Sequence, residues 1–180
     1  MNRVRPLLST VLVAGLLSAC GGGVSIGFFD DDDDDGFFDD RAIPSGRPAS
    51  MAVQAATDTR LVGTYTSDDT RLTQVFRFSA RGATPETCRF QFEGLQETTA
   101  RLPMGGEIQY LPDTDTVHAS FLVVDFREYR VAGSSAVTLD RATNAIVFNQ
   151  AVLTATRDAG REITVTGTIP MLNLAKPAGC

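Results

Sequence analysis

An all-β fold is the class this sequence predicts, on three observations. From about residue 58 onward apolar residues recur with period two. Clusters of turn-forming residues interrupt these runs at hairpin spacing. No stretch between the breaks carries the apolar spacing of an amphipathic helix. Short strands joined by tight turns pair antiparallel. The expectation is eight or nine short strands over residues 58–180, arranged as an antiparallel sandwich or a small up-and-down barrel. About 120 residues suffice to close a core.

Taken in order, Leu72, Phe76 and Phe78 share one face with Gln74. Cys88, Phe90 and Phe92 share a face opposite Arg89 and Gln91. Gly94 to Leu102 leaves room for one helical turn. Val117 to Tyr129 reads as a single long strand. Its centre, Phe121-Leu122-Val123-Val124, is apolar on both faces, which places it centrally. Ile146, Phe148 and Val152 share a face with Gln150. The clearest strand is the last, where Ile163, Val165, Gly167 and Ile169 alternate with Thr164, Thr166 and Thr168. The breaks fall at 67–70, 81–82, 103–106, 112–115, 133–135, 140–144 and 157–160. Phe76, Phe90, Phe121 and Ile163 are the expected core anchors. Sandwich and barrel both remain open, although the order of hairpins leans toward the barrel.

Residues 20–57 differ in composition. Gly21-Gly22-Gly23 is followed by Gly27-Phe28-Phe29-Asp30-Asp31, and the same pentapeptide returns as Gly36-Phe37-Phe38-Asp39-Asp40. Aspartate runs unbroken from Asp30 to Asp35. Like charges repel, so the segment reads as a disordered acidic tether. A flexible coil of this length spans on the order of 35 Å. Phe28, Phe29, Phe37 and Phe38 are candidate docking side chains for an envelope partner. Asp31, Asp33, Asp35 and Gly36 match the opening of a calcium loop, but its twelfth position is Ala42 rather than a bidentate carboxylate. Loose association of divalent cations with Asp30 to Asp35 is expected, not a preformed cage.

The first residues have a different logic. Arg3 and Arg5 precede an apolar run from Leu7 to Leu17. That run is shorter than the roughly 20 residues a spanning helix needs. A basic start, a short apolar run and a small-residue end form a secretory signal. Leu17-Ser18-Ala19-Cys20 resembles the lipobox of bacterial lipoproteins. The resemblance implies that residues 1–19 are a signal peptide and that Cys20 becomes the first mature residue. Its sulfur would carry diacylglycerol and its amine a further acyl chain such as palmitate. Each buried methylene contributes about 0.8 kcal/mol, so two or three chains hold firmly to a membrane. In enteric lipoproteins an aspartate after the cysteine favours the inner membrane. Gly21 stands there, so the resemblance implies the outer membrane, with periplasmic or surface orientation open. The resemblance ends at residue 20.

Composition excludes some functions. The 180-residue chain has a formal net charge of −6, and Lys176 is its only lysine. The segment from Asp58 onward carries 14 acidic and 12 basic side chains, so no basic field for nucleic acid exists. Beyond Cys20 two cysteines remain, Cys88 and Cys180, and outside the inner membrane they are expected to form a disulfide. A hydrolase would have to use His118, the single histidine. Ser120 is two positions on, about 7 Å away along a strand and beyond a direct hydrogen bond. Asp125 and Glu128, interleaved with Arg127 and Arg130, read as surface charges. Neither a G-x-S-x-G elbow, a P-loop nor a zinc ligand set occurs. The expectation is a membrane-anchored envelope lipoprotein without enzymatic activity, metal or cofactor. It would bind a protein, glycan or small ligand, or support envelope assembly. The alternative is a lipocalin-like carrier with an internal apolar cavity.

Overall fold

The computed structural model describes residues 41–180. The strands are β1 (Ile43–Pro44), β2 (Ala49–Ala56), β3 (Gly63–Ser67), β4 (Arg71–Leu72), β5 (Phe76–Phe78), β6 (Thr87–Glu97), β7 (Pro103–Tyr110), β8 (Val117–Val124), β9 (Arg127–Ala132), β10 (Val137–Asp140), β11 (Ala145–Ala155) and β12 (Asp158–Pro170). Among the described residues the single helical turn is a 3-10 turn at Thr59–Leu61, capped by the Asp58 carboxylate.

Eight strands close a barrel in the order β2-β3-β6-β7-β8-β9-β11-β12, and β12 pairs back onto β2. Every pairing is antiparallel. Full closure leaves the wall no free edge, which decides between sandwich and barrel. The four other strands are attachments: β4 and β5 pair with β6, β1 pairs with β4, and β10 pairs with β11.

Period-two alternation fills the interior. Val165 and Ile169 of β12 are fully buried, and Ile163 nearly so. Cys88, Phe90 and Phe92 of β6 point inward with them, in one cluster with Tyr65, Tyr110, Tyr129 and Phe148. Burying an aromatic or branched side chain contributes roughly 1.5–3 kcal/mol. Gly106 of β7 lies where no side chain fits. A Cβ there would sit 2.1 Å from the Phe121 carbonyl oxygen and 3.1 Å from the Phe92 ring.

Residues after β12 close one mouth of the barrel. Met171 and Leu172 are buried, and Cys180 is bonded to Cys88 with the Cα atoms 5.7 Å apart. The Tyr110 hydroxyl donates to the Cys180 carbonyl at 3.0 Å, and the Asp113 amide donates to the Gly179 carbonyl at 2.8 Å. Arg77 donates to the Ala178 carbonyl at 2.6 Å.

Several expectations are corrected. The fold starts before residue 58: Ala49–Ala56, assigned to the tether, is wall strand β2 between β3 and β12. Its small residues alternate correctly, with Ala49, Met51 and Val53 buried, but have weak strand propensity. The expected long strand from Val117 to Tyr129 is a hairpin of β8 and β9, turning at Asp125 and Phe126 with φ of 48° and 60°. Gly94 to Leu102 is not helical; β6 runs to Glu97, whose buried carboxylate accepts the amides of Thr99 and Ala100 and caps the turn. Val152 is half-exposed rather than inward, because a bulge at Asn149-Gln150 shifts the register and turns Ala151, Leu153 and Ala155 inward. Phe76, expected in the core, is 39% exposed on attached strand β5, and Phe78, which shares its face, is 45% exposed. The signal at 1–19 with Leu17, Ser18 and Ala19, the lipid site Cys20, Phe28, Phe29, Phe37, Phe38 and the aspartates from Asp30 to Asp35 lie outside the described residues.

Candidate recognition surface

A barrel offers an interior, a wall and two ends. The interior is occupied by side chains. Tyr65, Tyr110, Tyr129, Phe90, Phe92 and Phe148 are its largest fully buried residues, with Met51 and Met104 among them. The Tyr65 hydroxyl donates to the Leu61 carbonyl at 2.9 Å. Burial pushes the Tyr65 and Tyr110 hydroxyls up to about 12, so both stay neutral donors. Ser120 faces this interior across from Ile108 and Val131, and its buried hydroxyl has no hydrogen-bond partner among the described residues.

His118 and Ser120 are not brought together. His118 lies at the register shift between Gln109 and Tyr110, while Ser120 is on the inner side. Burial, then the positive charges of Arg130 and Arg89, hold the His118 pKa below its ordinary value. Asp125 lies in the hairpin turn, and Glu128 stands on β9 opposite Val123. No cluster of metal-ligating side chains occurs among the described residues.

The outer wall is unusual along β7, β8 and β9. Most strands turn threonine, serine or arginine outward. β8 turns Ala119, Phe121 and Val123 outward, opposite inward Leu122 and Val124, yet all three are covered and at most 6% exposed. The Arg130 guanidinium covers the Phe121 ring 5.2 Å from its centroid. Two further stacks follow across the wall, Arg89 on Phe78 at 4.5 Å and Arg41 on Phe76 at 5.7 Å. Beside Arg130 an open depression of about 370 Å³ is bordered by Ala132, Thr154 and Thr156. It follows the seam where β9 and β11 share only the pairs Thr154–Arg130 and Ala155–Tyr129. Nothing in the sequence marks these stacks, because each depends on which segments lie side by side and in what register.

Glu107 also faces out on β7 yet is 6% exposed. Burial raises its pKa above the ordinary 4.5, opposed by the Gln109 amide, which donates to it at 2.5 Å, and by Arg89. A raised carboxylate pKa makes the folded state hold its proton longer than the unfolded chain. Stability therefore falls as pH rises from the ordinary value through the folded one. Glu107→Gln is expected to raise the melting temperature at pH 8 and to leave it nearly unchanged at pH 4. Equal effects at the two pH values would exclude a charge-burial origin.

Comparison with known proteins supplies no family: no protein-family model, no curated protein and no solved structure matches this chain.

Proposed function

We propose that this protein is a lipid-anchored, non-catalytic module of the bacterial cell envelope that works through its outer surface rather than through an internal ligand cavity. The observation carrying the second half is the barrel interior, filled by six aromatic rings and the residues packed on them. A carrier for an apolar ligand needs several hundred cubic ångströms of enclosed, mostly apolar space. The wall instead carries three arginine–phenylalanine stacks, one of which, Arg130 on Phe121, borders a shallow depression. Aromatic and arginine side chains are the types enriched in protein recognition. The anchoring half rests on Arg3, Arg5, the apolar run to Leu17 and the lipobox-like Leu17-Ser18-Ala19-Cys20. Gly21 favours the outer membrane.

Two measurements test the two halves separately. Cells fed radioactive palmitate should label the wild-type chain and not Cys20→Ser; equal labelling would end the anchoring reading. Titration of the purified protein with a fluorescent fatty acid should give no saturable binding. Stoichiometric binding quenched by natural fatty acids would restore the carrier.

A further inference from the structure

The β8–β9 turn places a phenylalanine where its backbone is strained and its ring is wet. Phe126 is 83% exposed, the most exposed of the large apolar residues described. Both turn residues have positive φ, 48° at Asp125 and 60° at Phe126. Two-residue hairpins of this kind favour asparagine and glycine, which adopt that region easily. A bulky side chain there is a backbone outlier and costs on the order of 1 kcal/mol or more. Neither core packing nor turn chemistry accounts for the ring.

The turn is a stiff mount. β8 and β9 pair without a register shift from Ala119–Ala132 to Val124–Arg127, directly beneath it. The Asp125 amide donates to the Pro103 carbonyl of β7 at 3.0 Å. The Thr59–Leu61 turn, which joins β2 to β3, lies at the same end of the barrel. Arg60 there senses the charge of Asp125, and Asp58 senses that of Arg127. That neighbouring loop exposes Val62 at 44%. The Arg60 side chain, 71% exposed, is held by Asp58 at 2.7 Å. Arg127 at the base of the hairpin is exposed as well. One end of the barrel thus presents a ring and a valine flanked by long arginine side chains.

We infer that this end of the barrel is a membrane-contacting tip, with Phe126 entering the interfacial layer of a phospholipid bilayer. A lone ring on a narrow, rigid hairpin lacks the surrounding apolar area of a protein interface core. It needs no shape-matched pocket in a fluid acyl boundary. Arg127 can lay its stem along that boundary and keep its guanidinium among headgroup phosphates, while the Arg60 guanidinium stays paired with Asp58. The inference does not depend on lipid at Cys20: an acylated chain would be held near the bilayer by its anchor, and the tip would then fix the orientation of the barrel.

The chain contains no tryptophan, so Phe126→Trp places a single indole at the tip. The full-length chain is mixed with vesicles of phosphatidylethanolamine and phosphatidylglycerol. Emission should shift to the blue, and acyl chains brominated near the headgroup should quench it. Unshifted emission without quenching would overturn the inference, even where the anchor holds the protein on the vesicles. Phe126→Asn suits the turn and should fold at least as stably. In the chain carrying Cys20→Ser, vesicle binding should drop roughly tenfold or more on this change, the loss expected for an aromatic side chain returned to water. Undiminished binding would also overturn it. The palmitate experiment reads the anchor independently of either result.

Discussion

Replacing Cys88 or Cys180 with serine is expected to lower the unfolding free energy by about 4–5 kcal/mol, from the loop-closure entropy that the bond removes from the unfolded chain. The bond spans a sequence separation of 92 residues. Domains of this size have total stabilities of only about 5–15 kcal/mol, so the variant should sit close to its unfolding threshold. The tail the bond retains carries further contacts. Arg141 donates to the carbonyls of Gly179 and Cys180, both at 3.3 Å. Releasing the tail uncovers Met171 and Leu172 as well. Urea unfolding followed by circular dichroism, with and without dithiothreitol, measures the loss. A difference below about 1 kcal/mol would show that the cross-link contributes little beyond its neighbours.

Gly106→Ala is expected to cost about 3 kcal/mol, the upper part of the range for inserting a methyl group into a packed wall. Two neighbours would be struck, and they differ in what can yield. The Phe92 ring at 3.1 Å could rotate or be trimmed. The Phe121 carbonyl at 2.1 Å belongs to β8, and moving it strains the pairing of β7 with β8. Trimming the ring with Phe92→Leu should therefore fail to rescue Gly106→Ala. The backbone collision dominates, and denaturant midpoints of the two single variants and the double variant test it. Full rescue by the trimmed ring would assign the cost to the side chain.

The sequence conveyed much of the barrel because its strongest strands bury one clean face. Ile163, Val165 and Ile169, and Cys88, Phe90 and Phe92, occupy the inner positions their alternation implies. What it concealed has local physical causes. β2 is built of alanine, serine and glutamine around Met51 and Val53, a pattern shared with a flexible linker. The turn after β8 lacks glycine, asparagine and proline, so the hairpin looked like one strand. The bulge at Gln150, with φ of 50°, inverts the faces of everything beyond it in β11. Strand β8 is apolar on both sides, which implies a central place in the fold; it is a wall strand of the barrel whose outward Ala119, Phe121 and Val123 are also buried. Nothing in the sequence sets Phe126 apart, since a ring in an alternating run resembles one more core residue.

Closure of the barrel depends on β2 meeting β12, with Met51 set against Gly167. Those strands come from opposite ends of the domain. Contacts so remote in sequence are slow to form, since the intervening chain must first be ordered. A domain sealed only by joining its first wall strand to its last cannot close until nearly all of its chain is available, so truncation at either end should leave the wall open.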